Sequence, residues 1–489
     1  MDTLQQAWLQ GEDWGGKVYS NGWQAVDSRL DVIEPATGKR LGTIGTASGS
    51  DVATAAKAAR DAQAAWADVP YDERSSLMLR VVAKAQEHFE EIVDWLVREA
   101  GAIRPRAEFE FGLMVTALRE AAFMPSQAQG ILLPGPSTRI SFARRVPLGV
   151  VGVISPFNFP LILAMRAVAP ALAVGNAVVL KPDPRTSVSG GFVLAKLFEE
   201  AGLPKGLLHV LPGGADAGAA LCSDPNVAMI QFTGSSAAGR KVGELAGRHL
   251  KKLSLELGGK NSLIVLDDAD LDIAASNAAW GAYLHQGQIC MSSGRILVQE
   301  RVADAFAEKL AARATHLPCG DPFTGQVAIG PMISDGQLQH AKCIVDATVA
   351  AGAKLLAGGT HDGLVYHPTV LGGVTPAMPA FKEEIFGPVA VLTSFGSDDE
   401  AVELANDTEY GLSAGIISRS VGRALAIGNR LRVGLLHIND QTVADEVVNP
   451  FGGRGASGNG TSIGGPANWE EFTQWQWVTI KDQAAAYPM

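Results

Sequence analysis

Apolar positions along the chain fall into two rhythms. Between about residues 51 and 100, in "DVATAAKAARDAQAAWADV" and "SSLMLRVVAKAQEHFEEIVDWLVREA", they recur at helical spacing among many alanines, as amphipathic helices require. From residue 150, short apolar runs alternate with helical ones. The order is "VVGVIS", "LILAMRAVAPALAVGN", "AVVLKP", "SVSGGFVLAKLFEEAG", "LLHVLPG", "VAMIQFTG", "SSAAGRKVGELAGRHL" and "KKLSLEL". This alternation predicts a doubly wound parallel α/β sheet, which binds ligands beyond the carboxyl ends of its strands. A second α/β segment follows from about 260 to 440, with "NSLIVL", "ADAFAEKLAARATHL" and "AVLTSFG". The tail "FTQWQWVTI" alternates as a strand, and "GILLPGPSTRISFARRV" offers it a hairpin partner. Two strands outside both cores predict an oligomer contact. The expected domains are 1–125 with 148–256, then 257–466, and a small β extension from 126–147 with 467–489.

Length and composition agree with this picture. A chain of 489 residues is too long for one core. The net charge of −11, without a basic cluster, makes it a poor nucleic-acid binder. The stretch from Val146 to Leu180 is the most apolar, but Pro156, Pro160, Arg166 and Pro170 interrupt it. It reads as buried sheet and helix, not as a membrane span. The N-terminal "MDTLQQAWLQGEDWGG" lacks a basic region followed by an apolar run, so no signal peptide is expected. The four cysteines, 222, 290, 319 and 343, form no C-x-x-C pair. Neither a disulfide framework nor a zinc site is expected, and the chain reads as cytoplasmic.

Two motifs match by letter and fail by context. Gly453–Gly458, "GRGASG", is a literal G-x-G-x-x-G, but it neither follows a strand nor opens a helix. Gly411–Gly415, "GLSAG", is a literal G-x-S-x-G, but strand-like residues follow it. Between Ser413 and His437, the only later histidine, no acid intervenes.

The stretch "HQGQICMSSGR" at 285–295 is different. Cys290 lies among glycines and small polar residues, whereas Cys343, in "AKCIVDATV", reads as a structural thiol. Composition leaves Cys290 open between nucleophile and structural thiol. A metal role is disfavoured, because His285 is the sole nearby candidate for a second ligand. Glu256 ends an apolar strand and is followed by two glycines. It is either a capping or solvent carboxylate or a general base raised by burial. Asn158, between Pro156 and Pro160, has an amide suited to an oxyanion.

Together these residues resemble the NAD(P)-dependent aldehyde dehydrogenase superfamily. The resemblance runs from about residue 30 to 480. It rests on "PFNFP" (156–160), "LKP" (180–182), "FTGS" (232–235), "LELGG" (255–259), "GQIC" (287–290), "EEIFGPV" (383–389), "YGLSAGI" (410–416) and "PFGGRGASG" (450–458). "AIRP", "LHQGQICM" and "HINDQ" are similar to bacterial aromatic aldehyde dehydrogenases of the benzaldehyde and vanillin type. The resemblance implies that Cys290 attacks an aldehyde to give a thiohemiacetal. Asn158 and the Cys290 N–H would hold the oxyanion, hydride transfer would leave a thioester, and Glu256 would activate the hydrolysing water. It also implies a dinucleotide along Ile154, Ser155, Pro156 and Phe157. Its pyrophosphate would lie at the helix start carrying Gly234, Ser235 and Gly239, with Leu257 also among the cofactor-binding residues. Lys181 and Glu384 would bind the two riboses, and Phe386 would pack near the nicotinamide. NAD is the expected cofactor, with NADP possible, because Pro184 stands where many NAD-preferring relatives carry a glutamate; Phe157 replaces a common tryptophan. No metal is expected, and the partners are a small-molecule aldehyde and further copies of the chain, as a homodimer or homotetramer. The expected substrate slot is lined by Leu163, Ile289 and Met291, with Asn439 as its polar group. Arg166 could share the Leu163 helix face, as a helix-surface arginine, as an ion pair with a neighbouring domain, or as the arginine a semialdehyde carboxylate would need. The alternatives of the same fold are semialdehyde or aliphatic aldehyde oxidation, acyl transfer to coenzyme A, and a non-catalytic member. Members that acylate coenzyme A usually lack the glutamate and non-catalytic members lack the cysteine, so Glu256 and Cys290 argue against those two.

Overall fold

The computed structural model describes residues 8–9, 11–128 and 130–489. Residues 1–7 and Gln10, from which part of the signal-peptide reading was drawn, lie outside them. The strands Val150–Ile154 and Ala177–Lys181 are buried at every position, as strands covered on both faces must be. They pair in parallel, with Ile154 opposite Lys181. Leu208–Val210 extends the sheet on one side; Val227–Thr233 and then Lys252–Glu256 extend it on the other. Ile154, Lys181, Thr233 and Glu256 therefore share one carboxyl edge.

The helix Pro160–Ala173 returns the chain from the first strand to the second. Pro160 suits its first turn, where the missing N–H is no loss. The sheet also has an antiparallel margin, Lys17–Ser20 with Trp23–Ala25, which the strand–helix alternation did not predict. It turns at Asn21–Gly22, both left-handed (φ 58° and 113°), a conformation this dipeptide favours.

A second seven-stranded sheet runs in the spatial order Lys354–Ala357, Thr369–Gly372, Val389–Phe395, Arg295–Gln299, Ser262–Val265, Ser413–Ile417 and Leu435–Ile438. Its pairs are parallel except at the Lys354 edge. A third sheet joins Thr473–Ile480 to Ile140–Pro147 and Gly130–Leu132. Its long edge strand leaves Trp475 and Trp477 exposed.

Both lettered decoys have structural places. Ser413 opens a strand, and its hydroxyl donates to the Thr442 carbonyl at 2.7 Å. The glycine-rich loop bridges back to the first sheet: Gly458 pairs with Glu256, and the Leu257 N–H donates to the Ser457 carbonyl at 2.9 Å. The reading of Cys343 as structural is corrected. It lies exposed on the helix Asp335–Ala350, on the face turned from the core, while Cys222 is the buried thiol. Among the described residues, no helix is long and apolar enough to cross a membrane.

Candidate active site

The loop leaving Val150–Ile154 carries Asn158, which is 4% exposed. Its side-chain amide donates to the Gln288 carbonyl at 2.9 Å, two residues before Cys290. Its own carbonyl accepts from the Arg106 guanidinium, which is paired with Glu110 at 2.6 Å and stacked over Phe159. Glu110 Oε1 in turn accepts from the Leu161 and Ile162 N–H groups. These are orphan donors of the helix start, so one buried ion pair fixes both the Asn158 loop and the helix that follows.

Cys290 comes from the other sheet. Before it, His285, Gln286 and Gly287 are successively left-handed (φ 49°, 56° and 63°). Gly287 is obligatory, since a Cβ there would lie 2.2 Å from the Gly387 carbonyl oxygen. This strained turn lifts the thiol to the first sheet's carboxyl edge. Asn261 holds the Cys290 carbonyl at 2.8 Å, and the Met291 N–H faces the sulfur. Burial, then the charges of Glu384, Glu256 and Asp445, push the thiol up to about 12. His285 is no companion ligand: its ring packs edge-on to Phe159 and bonds the Asn158 carbonyl, and burial keeps it neutral.

Glu256 ends its strand 3% exposed, and neither carboxylate oxygen has a hydrogen-bond partner among the described residues. Burial raises its pKa well above 4.5; Arg166 opposes the rise, while Glu471 and Asp445 add to it. The neutral acid is thereby favoured over a buried anion.

Two cavities meet at these residues. A slot of about 270 Å³ is lined by Leu163, Ile289, Met291, Phe109, Trp280 and Phe451, among others. A groove of about 740 Å³ runs over the first sheet's carboxyl edge along Ile154, Ser155, Pro156 and Phe157. Asn158, Glu256 and Cys290 line both. In the groove, Lys181 donates to the Gly213 carbonyl at 2.8 Å, and burial lowers its pKa. Gly234 and Ser235 precede the helix Ser236–Arg248, and Ser235 caps it by accepting from the Ala238 N–H. Glu384 accepts from the Gly259 N–H at 2.9 Å. Phe386 meets Phe157 edge-on at 5.8 Å, and Leu257 also lines the groove.

Two expected positions are corrected. Asn439 is exposed, and its side chain accepts from the Ser418 N–H at 3.0 Å. It follows the last parallel strand and lies outside the slot; two residues on, Gln441 does line it. Gly239 does not line the groove. It packs behind Leu257, where a Cβ would lie 2.4 Å from a Leu257 methyl. Sequence reasoning also missed Arg185, which lies over Phe157 at 4.2 Å and pairs with Asp183 at 2.7 Å. It missed Asp445 as well, the partner of Arg166 at 2.8 and 3.1 Å. The charged run "DPR" at 183–185 was a usable signal for the first; nothing local marks the second.

The Aldehyde dehydrogenase family model matches residues 23–478. The chain is 54% identical to a vanillin dehydrogenase of Amycolatopsis sp., over 99% of this chain and 100% of that relative. It is 50% identical to a benzaldehyde dehydrogenase [NAD(+)] of Pseudomonas putida, over 97% and 98%. The crystal structure of a salicylaldehyde dehydrogenase from Pseudomonas putida G7 complexed with salicylaldehyde superposes with a TM-score of 0.92 at 35% identity, covering 97% of this chain and 99% of that one. Over almost its whole length, then, the chain belongs to the aldehyde dehydrogenase family.

Proposed function

We infer that the protein oxidises aromatic aldehydes to carboxylic acids with a nicotinamide dinucleotide, NAD in the first place. The observation that carries this reading is the meeting of an apolar slot and a long groove at Cys290, Glu256 and Asn158. The groove has the volume of a cofactor site and a helix N-terminus suited to a pyrophosphate. Lys181 and Glu384 are the hydroxyl partners for the riboses, and the buried Ser155 hydroxyl, which has no partner among the described residues, adds a further donor. These residues fit a dinucleotide.

The Cys290 sulfur adds to the aldehyde carbon, and its proton leaves to solvent. The Asn158 amide and the Cys290 N–H receive the new oxyanion. A donor so placed is worth about 3–4 kcal/mol in such reactions. The dinucleotide, when bound, supplies the acceptor for the hydride that leaves this carbon. Glu256, in its ionised form, then takes a proton from water, the water oxygen adds to the thioester carbon, and the carbon–sulfur bond breaks to release the acid and Cys290. The slot walls suit a flat ring, and Arg166 is already neutralised by Asp445, so a charged semialdehyde is disfavoured. In this reading the groove-bearing sheet domain (1–125, 148–256) binds the cofactor and 257–466 carries the nucleophile. The β extension with exposed Trp475 and Trp477 joins copies into a cytoplasmic homodimer or homotetramer, and the product feeds breakdown of aromatic compounds.

The test follows reduced-nicotinamide absorbance with benzaldehyde, acetaldehyde and succinic semialdehyde, each with NAD and with NADP. We expect kcat/KM for benzaldehyde to exceed both others, since burying a ring gains several times the ~0.8 kcal/mol of one CH₂. Succinic semialdehyde as the best of the three would overturn the aromatic reading.

A further inference from the structure

The Arg166–Asp445 ion pair sits in the wall of an otherwise largely apolar slot. Arg166 is 3% exposed and lies over the Phe451 ring at 4.8 Å. A buried ion pair is commonly no more stabilising than apolar residues of equal volume, so packing alone does not account for it. Both terminal guanidinium nitrogens are taken by Asp445, and the Nε–H is buried without a partner among the described residues, so the Arg166 charge is already balanced before a substrate anion arrives. Asp445 keeps 18% of its side chain exposed. A carboxylate has about four acceptor sites, and Arg166 occupies two of them. The slot therefore presents a fixed hydrogen-bond acceptor whose charge is already balanced.

We propose that Asp445, held by Arg166, is a specificity-determining residue that accepts a hydrogen bond from a hydroxyl group on the ring of the aldehyde. The proposal rests on the aromatic-aldehyde reading. Position follows from the helix Pro160–Ala173. Arg166 stands six residues, about 9 Å along the axis, beyond Pro160, while Asn158, which would hold the carbonyl oxygen, lies just before that helix start. The acceptor therefore meets the far part of the ring, at the meta or para position. A hydroxyl stripped of water must find an acceptor, and Asp445 provides one. A methoxy oxygen brings no donor, and a ring carboxylate would face both Asp445 and Glu256.

The test compares kcat/KM for 3- and 4-hydroxybenzaldehyde with their 3- and 4-methoxy counterparts and with 4-carboxybenzaldehyde. It uses the wild type, Asp445→Asn and the double variant Arg166→Met/Asp445→Leu, which leaves no charge buried alone. In the wild type, hydroxyl should exceed methoxy at one of the two positions by about 10-fold or more. The carboxy compound should be slower than either. In the double variant the hydroxyl-to-methoxy ratio should fall to within about threefold, and in Asp445→Asn it should fall part of the way. Because the readout is a ratio within one protein, a general loss of activity does not mimic the result, and Asp445→Asn alone decides if the double variant does not fold. A wild-type ratio near one, a ratio unchanged in the variants, or a preference for the carboxy compound would overturn the proposal. Absence of any benzaldehyde oxidation would instead remove the functional reading on which it rests.

Discussion

At the scale of single residues, Cys290 waits as a thiol, because burial holds its pKa at about 12. The thiolate is the nucleophile, so alkylation of Cys290 in the free protein should accelerate with pH through the neutral and alkaline range. Cys290→Ala should abolish aldehyde oxidation while dinucleotide binding, followed by fluorescence titration, stays near that of wild type; retained turnover would remove the covalent route. Glu256 has a consequence for stability as well as catalysis. Its folded pKa is raised above 4.5 by burial, so its contribution to stability is full below about pH 4.5 and is lost as pH rises through the folded value. Glu256→Gln should therefore raise the thermal midpoint at pH 8, and the gain should shrink toward pH 5. An equal shift at both values would mean that the carboxyl is not desolvated. Both side chains were legible as candidates, Cys290 by its glycine-flanked setting and Glu256 by its place at a strand end. The upward shift of Glu256 was one of two readings of its strand-end position, but that of Cys290 was not legible, because it depends on neighbours such as Glu384 and Asp445 that are distant in sequence. Asn439 shows the converse: its neighbourhood in "HIND" suggested the slot, but a left-handed φ of 57° turns it onto Ser418.

At the scale of elements, the Pro160–Ala173 helix carries Leu163 and Arg166 into the slot while its start is tied to Glu110 and Arg106. Both charges of that pair are buried, at 0% and 1% side-chain exposure. Glu110→Ala would strand the Arg106 cation and two backbone donors, and should cost about 3–5 kcal/mol in denaturant unfolding. A loss under about 1 kcal/mol would mean that water replaces the carboxylate. On the groove side, the short turn Pro184–Thr186 leaves Arg185 over Phe157 with no carboxylate at position 184. Measurable NADP use with NAD preferred is expected, and Pro184→Glu should raise the NAD/NADP ratio of kcat/KM, since a carboxylate accepts from a 2′-hydroxyl and repels a 2′-phosphate. An unchanged ratio would move attention to Arg185 and Lys181. The elements themselves were readable from apolar periodicity. The antiparallel N-terminal margin was missed because its strands are short and only the Asn21–Gly22 turn marks them.

At the scale of the whole molecule, strand–helix alternation was enough to predict the doubly wound sheet, and the carboxyl-edge rule placed the groove. The slot was harder to foresee. Phe109, Trp280 and the pair Asp445 and Phe451 come from three segments far apart in the chain, and no local pattern links them. Two cavities meeting at one nucleophile and one base would work as a single active site. This is tested most directly by mixing Glu256→Gln with benzaldehyde and NAD in a stopped-flow experiment and quenching the mixture for peptide mass analysis. The prediction is a burst of about one reduced nicotinamide per active site, little turnover afterwards, and a benzoyl group on the peptide bearing Cys290. No burst, or a burst with Cys290 unmodified, would contradict it.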